Sequence, residues 1–211
     1  RRSVLTLAAL TVLTALSLLL CMGIGAVPIP ATTTAQVIGY HLGLPVPISW
    51  DPSTESIIWD VRLPRVLMGA AVGACLAISG AGLQAMVRNM LADPYILGVS
   101  GGASTGAAAA ILFGVGAALG DYAQSVLAFA GALGAALLVF FIARAGGQVT
   151  SVRLLLSGVA VGYALSAVTS LLIFSSDSAE GSRSVMFWML GSLSLARWNA
   201  FLLIAVLAAI A

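Results

Sequence analysis

Long apolar runs separated by short polar clusters dominate the chain. A helix needs about 20 apolar residues to cross the hydrocarbon of a bilayer. On that measure the pattern predicts spanning helices over Val4 to Val27, Val66 to Val87, Ile96 to about Phe113, Tyr122 to Ala143 and Leu154 to Phe174, with a last run from Asn199 to Ala211. The last run holds thirteen residues, ~20 Å of helix against an apolar core of ~30 Å. The sequence is therefore expected to be the N-terminal part of a longer protein. Arg1 and Arg2 precede the first run as they would in a signal peptide. That run exceeds the usual signal core of about 7–15 residues and lacks an Ala-x-Ala exit, so a retained helix is expected.

The polar breaks are where function can sit. Pro28, Pro30, Pro45, Pro47 and Pro52 make the stretch from Pro28 to Asp60 an external loop, since proline prevents a continuous helix; Trp50 and Trp59 near its end suit interfacial anchors. In "RNMLADPYILGVSGGAS", Arg88 to Ser104, the residues Asn89, Asp93 and Pro94 break the helix between two spans. Such backbone at membrane depth is tolerated only where protein buries it or water lines it. "GGQVTSVRLLLSG", Gly146 to Gly158, is a second break on the same side, where Thr150 and Ser151 can cap the next helix, line a constriction, or do both. Asp177 to Ala200 holds an apolar piece, Val185 to Leu190, too short to span. It is expected to lie at or dip into the outer surface, with Phe187, Trp188 and Trp198 at the interface, and to gate an external opening. Glycines repeat at four in Gly69/Gly73, Gly98/Gly102/Gly106, Gly116/Gly120 and Gly158/Gly162, which predicts closely packed helices.

Composition sharpens the class. Hydrophobic residues make up 61% and charged residues 8%, with a mean hydropathy of +1.11, against ~25% charged in ordinary soluble domains. The net charge is +2 and the basic residues are scattered without forming a cluster, which excludes nucleic acid as a partner. All nine basic residues are Arg. Without a lysine there is no Walker A loop, so any ATP-driven step falls to another chain. Cys21 and Cys75 lie in apolar runs with no partner at metal or redox spacing and read as small core residues. His41, the single histidine, reads as solvated, with haem ligation the weaker alternative. With the N-terminus inside, Arg62, Arg65, Arg183 and Arg197 face outward against five arginines inside, a feeble bias. Six of the seven acids also lie outside.

No hydrolytic constellation and no acid pair within a span is found, which weighs against an intramembrane enzyme and against a proton- or sodium-coupled secondary carrier. The carrier remains the alternative on the residues alone, since further helices can hold coupling groups.

"VRLPRVLMGAAVGACLAISGAGLQAMVRNMLADPYILGVSGGAS", followed by "LLLSGVAVGYALSAVTSLL" and "FWMLGSLS", closely resembles the signature blocks of the permease subunits of ABC importers for iron-siderophore complexes, haem and cobalamin, from about Trp59 to Trp198. Met90 departs from the proline usual in the family's RNPLADP block, which loosens the expected turn. The resemblance implies an all-α, polytopic bundle of about ten helices per subunit, of which about six are present here. It also implies two identical permeases, two ATP-hydrolysing subunits that carry ATP and Mg, a periplasmic binding protein above, and the bacterial inner membrane as location, with no cofactor on this chain. It maps Arg62 and Arg65 onto the pair that meets acidic side chains of the binding protein, an interaction suited to a fork-shaped, permanently charged guanidinium. Pro64 is expected at the first turn of the helix that follows. Asn89 and Leu91 match one cytoplasmic constriction, Thr150 and Ser151 the other, and Phe187, Trp188, Gly191 and Ser192 the periplasmic gate region. Iron chelates, siderophore or haem, rank above cobalamin as cargo.

Overall fold

A computed structural model describes residues 2–90, 93–145, 147–194 and 196–198 of the chain. Among these residues every regular element is helical. Among the described residues four stretches are long and apolar enough to cross a membrane: Ser3–Gly23, Pro52–Val87, Ala117–Ala145 and Ser151–Phe174. The run expected from Asn199 lies outside the described residues. The chain divides into two compact units, one of residues 1–75 with 193–211, the other of residues 76–192.

The first unit opens with α1 (Arg2–Gly23). Four of its five hydroxyl residues, Thr6, Thr11, Thr14 and Ser17, donate to carbonyls of their own helix at 2.8–2.9 Å. These four hydroxyls therefore have partners in hydrocarbon, and the helix is apolar on all sides. The segment expected as a plain loop contains α2 (Ala31–His41) and α3 (Pro52–Ser56). Pro30 caps the start of α2 and Pro52 is the first residue of α3, positions that suit proline, while Pro28, Pro45 and Pro47 stay in non-helical chain. Met22, Ile29, Val37 and Ile58 form a small core that secures α2.

The second predicted span also begins earlier than expected. Helix runs without a gap from Pro52 through a π-helical stretch, Ile57–Arg62, into α4 (Leu63–Val87). The Leu63 N–H donates to the Ile58 carbonyl, five residues back. Pro64 is thus not at a helix start, as expected, but inside a continuous helix and fully buried. The widened π turn accommodates a ring that would otherwise collide with the preceding turn.

In the second unit α4 contributes its later residues, followed by a 3₁₀ turn (Pro94–Leu97), α5 (Val99–Phe113), a 3₁₀ segment (Ala117–Tyr122), α6 (Ala123–Ala145), α7 (Ser151–Phe174) and α8 (Ala179–Leu190). The span expected from Ile96 fails: α5 has 15 residues, ~22 Å of helix, because Gly98 takes a left-handed conformation (φ 69°) that ends the 3₁₀ turn and restarts the chain. A short helix is tolerated there because α5 is the most enclosed element, with Gly102, Ser104, Ala107 and Ala108 buried. A Cβ on Gly102 would run into the Gly131 carbonyl of α6, and one on Gly106 into the Leu127 carbonyl. The paired positions fall in reverse order, so α5 and α6 are antiparallel. Against α7, Gly101 meets Gly162 and Thr105 bonds Thr169, at 2.9 Å between hydroxyl oxygens; these positions rise together, so α5 and α7 run parallel. The Gly116/Gly120 pair, expected in helix packing, lies instead at positive φ in the turn between α5 and α6.

Candidate functional site

Arg62 and Arg65 emerge three residues apart at the junction of the π stretch and α4, on one helical face, and both line one cavity of the first unit. Their environments differ. Arg62 is half-buried, and its guanidinium donates to the Met22 carbonyl at 2.6 Å and to the Val27 carbonyl. Met22 lies in the last turn of α1, whose terminal carbonyls have no partner within the helix and carry partial negative charge. Arg62 therefore closes the end of α1 and fastens the following turn. Gly25 makes room for it: a Cβ there would stand 2.7 Å from Arg62 Nη2. Arg65 is exposed, and one of its N–H groups donates to the Ser194 carbonyl at 2.9 Å. Among the described residues neither guanidinium pairs with a carboxylate.

In the same unit, His41 at the end of α2 is a structural clamp. Its Nε2 lies 2.9 Å from Glu55 Oε1, and its ring stacks on Trp59 at 3.9 Å. Glu55 Oε2 also accepts from Trp50 Nε1 at 3.2 Å, while the Trp198 indole donates to the Trp59 carbonyl at 3.0 Å. Trp50 and Trp59, expected as membrane anchors, are engaged in this cluster. His41 is not merely solvated, and among the described residues no group of three metal-binding side chains forms. Cys21 is exposed and Cys75 half-exposed, so neither is the core residue expected; Cys21 lies on the cavity wall.

The second unit brings the two predicted breaks together at one end. Ser151 Oγ donates to the Val87 carbonyl at 2.8 Å, tying the first residue of α7 to the last of α4, two residues before Asn89. Thr150 caps α7 by accepting from the Arg153 N–H at 3.4 Å. Arg88 adopts φ 52°, a left-handed turn uncommon outside glycine, and the Asn89 N–H returns to the Gln84 carbonyl. Met90 is 88% exposed, and Gln84 Nε2 holds its carbonyl at 3.0 Å, so the turn closes without the family's proline. Asp93 Oδ1 caps the 3₁₀ turn through the Tyr95 N–H at 2.8 Å. Leu91 lies outside the described residues.

At the far end of α7, ~36 Å away for 24 residues, sits α8. Ser178 caps it by accepting from Gly181 N–H at 3.0 Å, and Ser182 Oγ donates to the Ile173 carbonyl at 3.4 Å. Phe187, Gly191 and Ser192 are exposed and Trp188 half-buried, while Val185 is the buried anchor. Sequence reasoning missed the carbonyls of Met22, Val27 and Val87, since backbone acceptors have no residue signature. It also missed Glu55 as the partner of His41, although one acid and one histidine in the same segment were a visible signal.

The FecCD transport family matches residues 13–211. The cobalamin import system permease protein BtuC of Halobacterium salinarum is 44% identical over 83% of this chain and 44% of its own length. The Fe(3+)-citrate import system permease protein YfmD of Bacillus subtilis is 42% identical over 74% and 45%, and the vitamin B12 import system permease protein BtuC of Escherichia coli is 42% identical over 77% and 49%. The chain thus spans about half the length of the curated relatives it matches. A solved structure of a metal-chelate type ABC transporter in an inward-facing conformation aligns with a TM-score of 0.77 at 31% identity, over 97% of this chain and 59% of that one.

Proposed function

The chain belongs to the FecCD transport family, and from that premise we propose that it is permease sequence of an ABC importer, moving a bulky metal chelate across the inner membrane by alternating access. The observation that carries this reading is the family likeness over residues 13–211, joined by relatives named for cobalamin and for ferric citrate import. The run from Val66 to Val87 carries no charged residue, which suits a path that needs no coupling ion. In this reading two permeases form the pathway, two separate subunits bind and hydrolyse ATP with Mg, and a periplasmic binding protein delivers the chelate. The N-terminus lies in the cytoplasm.

In this reading the roles are those that the family resemblance implies. Arg65, exposed at the rim, meets acidic side chains of the binding protein; Arg62 holds the rim in shape and adds its charge. Asn89, Leu91, Thr150 and Ser151 form the cytoplasmic gate, and α8 with Phe187, Trp188, Gly191 and Ser192 borders the periplasmic one. Cobalamin, ferric citrate, a ferric siderophore and haem are the cargoes to compare. Uptake into proteoliposomes holding the full-length permease, its ATPase and its binding protein tests the proposal. ATP-dependent accumulation of one chelate supports it, whereas accumulation independent of ATP, in an assembly shown to hydrolyse ATP, overturns it in favour of a secondary carrier.

A further inference from the structure

The cavity beside Arg62 and Arg65 has a second feature that docking to a binding protein does not use. It measures about 370 Å³ and its wall is apolar: Cys21, Ile24 and Val27 on one side, Ile57, Val61 and Val66 on the other. That volume falls within the ~300–1,000 Å³ of small-molecule pockets. Among the described residues the two guanidiniums are the charged groups of its lining, and no acid lines it. Its height along the chain is interfacial. Cys21 stands in the last turn of α1, a helix long enough to cross a bilayer, and Arg65 is the last charge before the run that stays uncharged until Arg88.

A cavity at that height, apolar within and doubly cationic at its lip, is complementary to one class of molecule. We propose that it binds an anionic glycerophospholipid, with the phosphate at the Arg65 guanidinium and an acyl chain against Ile24, Val27, Val61 and Val66. The division of labour between the arginines fits. Arg62 is tied to the carbonyls of Met22 and Val27 and contributes fixed positive charge. Arg65 offers a five-donor fork of which one N–H turns to Ser194, and guanidinium binds phosphate bidentately. A soluble acidic peptide would have no use for the apolar wall below.

The test is retention of phosphatidylglycerol against phosphatidylcholine by the full-length permease in mixed-lipid nanodiscs, read by native mass spectrometry without binding protein or ATPase, so that its failure is separable from failure of the transport reading. The wild type is expected to retain phosphatidylglycerol selectively. Arg65→Gln is expected to weaken that selectivity about fivefold, from ~1 kcal/mol per arginine near a charged surface and 1.4 kcal/mol per tenfold. Cys21→Trp, which fills the cavity and leaves both guanidiniums in place, is expected to abolish it. Equal retention of the two lipids by the wild type overturns the proposal. So does selectivity that survives Cys21→Trp, which reduces the effect to surface charge, or displacement of the lipid by inorganic phosphate alone, which makes the site a phosphate site.

Discussion

Replacing Arg62 and Arg65 one at a time separates two roles that a double charge reversal would merge. Arg62→Gln removes a cation held against two backbone carbonyls, those of Met22 and Val27. Hydrogen bonds to charged groups contribute about 1.5–3 kcal/mol each; for a half-buried side chain the pair is worth about 2–4 kcal/mol, and the end of α1 loses its closure. Arg65→Gln removes one exposed bond to Ser194, about 0.5–1 kcal/mol. At roughly 2–4 °C per kcal/mol, the melting temperature of the full-length permease, followed by circular dichroism, should fall by roughly 10 °C for Arg62→Gln and by under about 4 °C for Arg65→Gln. The functional ranking should invert. Arg65→Glu should lose stimulation of ATPase activity by the binding protein while the assembly stays intact, and Arg62→Lys, which lacks the planar fork, should recover only part of the lost stability. Equal melting shifts, or a larger one for Arg65, would refute the account of Arg62 as the closure of α1.

Three other outcomes follow from the second unit. Gly106→Leu, which drives a side chain into the Leu127 carbonyl, should lower stability by about 1–3 kcal/mol or more, beyond the ~1 kcal/mol a better helix former returns; a melt no lower than wild type would contradict the α5–α6 contact. Ser151→Ala should remove the bond to the Val87 carbonyl, cost about 0.5–1.5 kcal/mol and speed hydrogen exchange at the Asn89 amide, while an unchanged exchange rate would mean that Ser151 does not hold the break. Thr105→Val and Thr169→Val should couple in a double-mutant cycle by about 0.6 kcal/mol, the usual size for hydroxyl bonds inside membranes; additivity would show that the 2.9 Å contact carries no energy.

What the sequence made legible was governed by local rules. The apolar runs yielded α1, α6 and α7 nearly at their true bounds, because twenty uninterrupted apolar residues admit little else than a spanning helix. The cap at Thr150 was readable because hydroxyl capping depends on neighbours three residues away. The errors share the opposite cause. Prolines in the segment from Pro28 were read as breakers, but proline is as welcome at a first turn as it is unwelcome within a helix, and only the core of Met22, Ile29, Val37 and Ile58 decides which applies. Pro64 was placed at a helix start because the π turn that accommodates it leaves no mark in the residue pattern. Arg62 was read only as a partner for acidic side chains of the binding protein, because the acceptors it meets here are backbone atoms 35 and 40 residues earlier. Leu91 and the run from Asn199 lie outside the described residues, so those expectations stand as they were.

Within the second unit the distribution of contacts says where movement can and cannot be absorbed. Along the middle of α5, Gly102 and Gly106 bring backbone against the backbone of α6, and the Thr105 and Thr169 hydroxyls bridge to α7. A contact between main chains has no rotamer to relax, so displacement there sacrifices many dispersion contacts at once. At the ends, among the described residues, hydroxyls tie element to element: Ser151 to Val87 on one side, Ser182 to Ile173 on the other. Each contributes on the order of 1 kcal/mol, a size that binding of a ligand or a partner can offset. A two-state transporter built on this unit would therefore move α5, α6 and α7 as one body and break its hydrogen bonds at the ends, where the sequence places its hydroxyls and its non-helical turns. Cross-linking α5 to α6 should then leave transport intact, whereas cross-linking position 151 to position 87 should stop it; the reverse result would place the moving boundary inside the glycine contact and overturn this division.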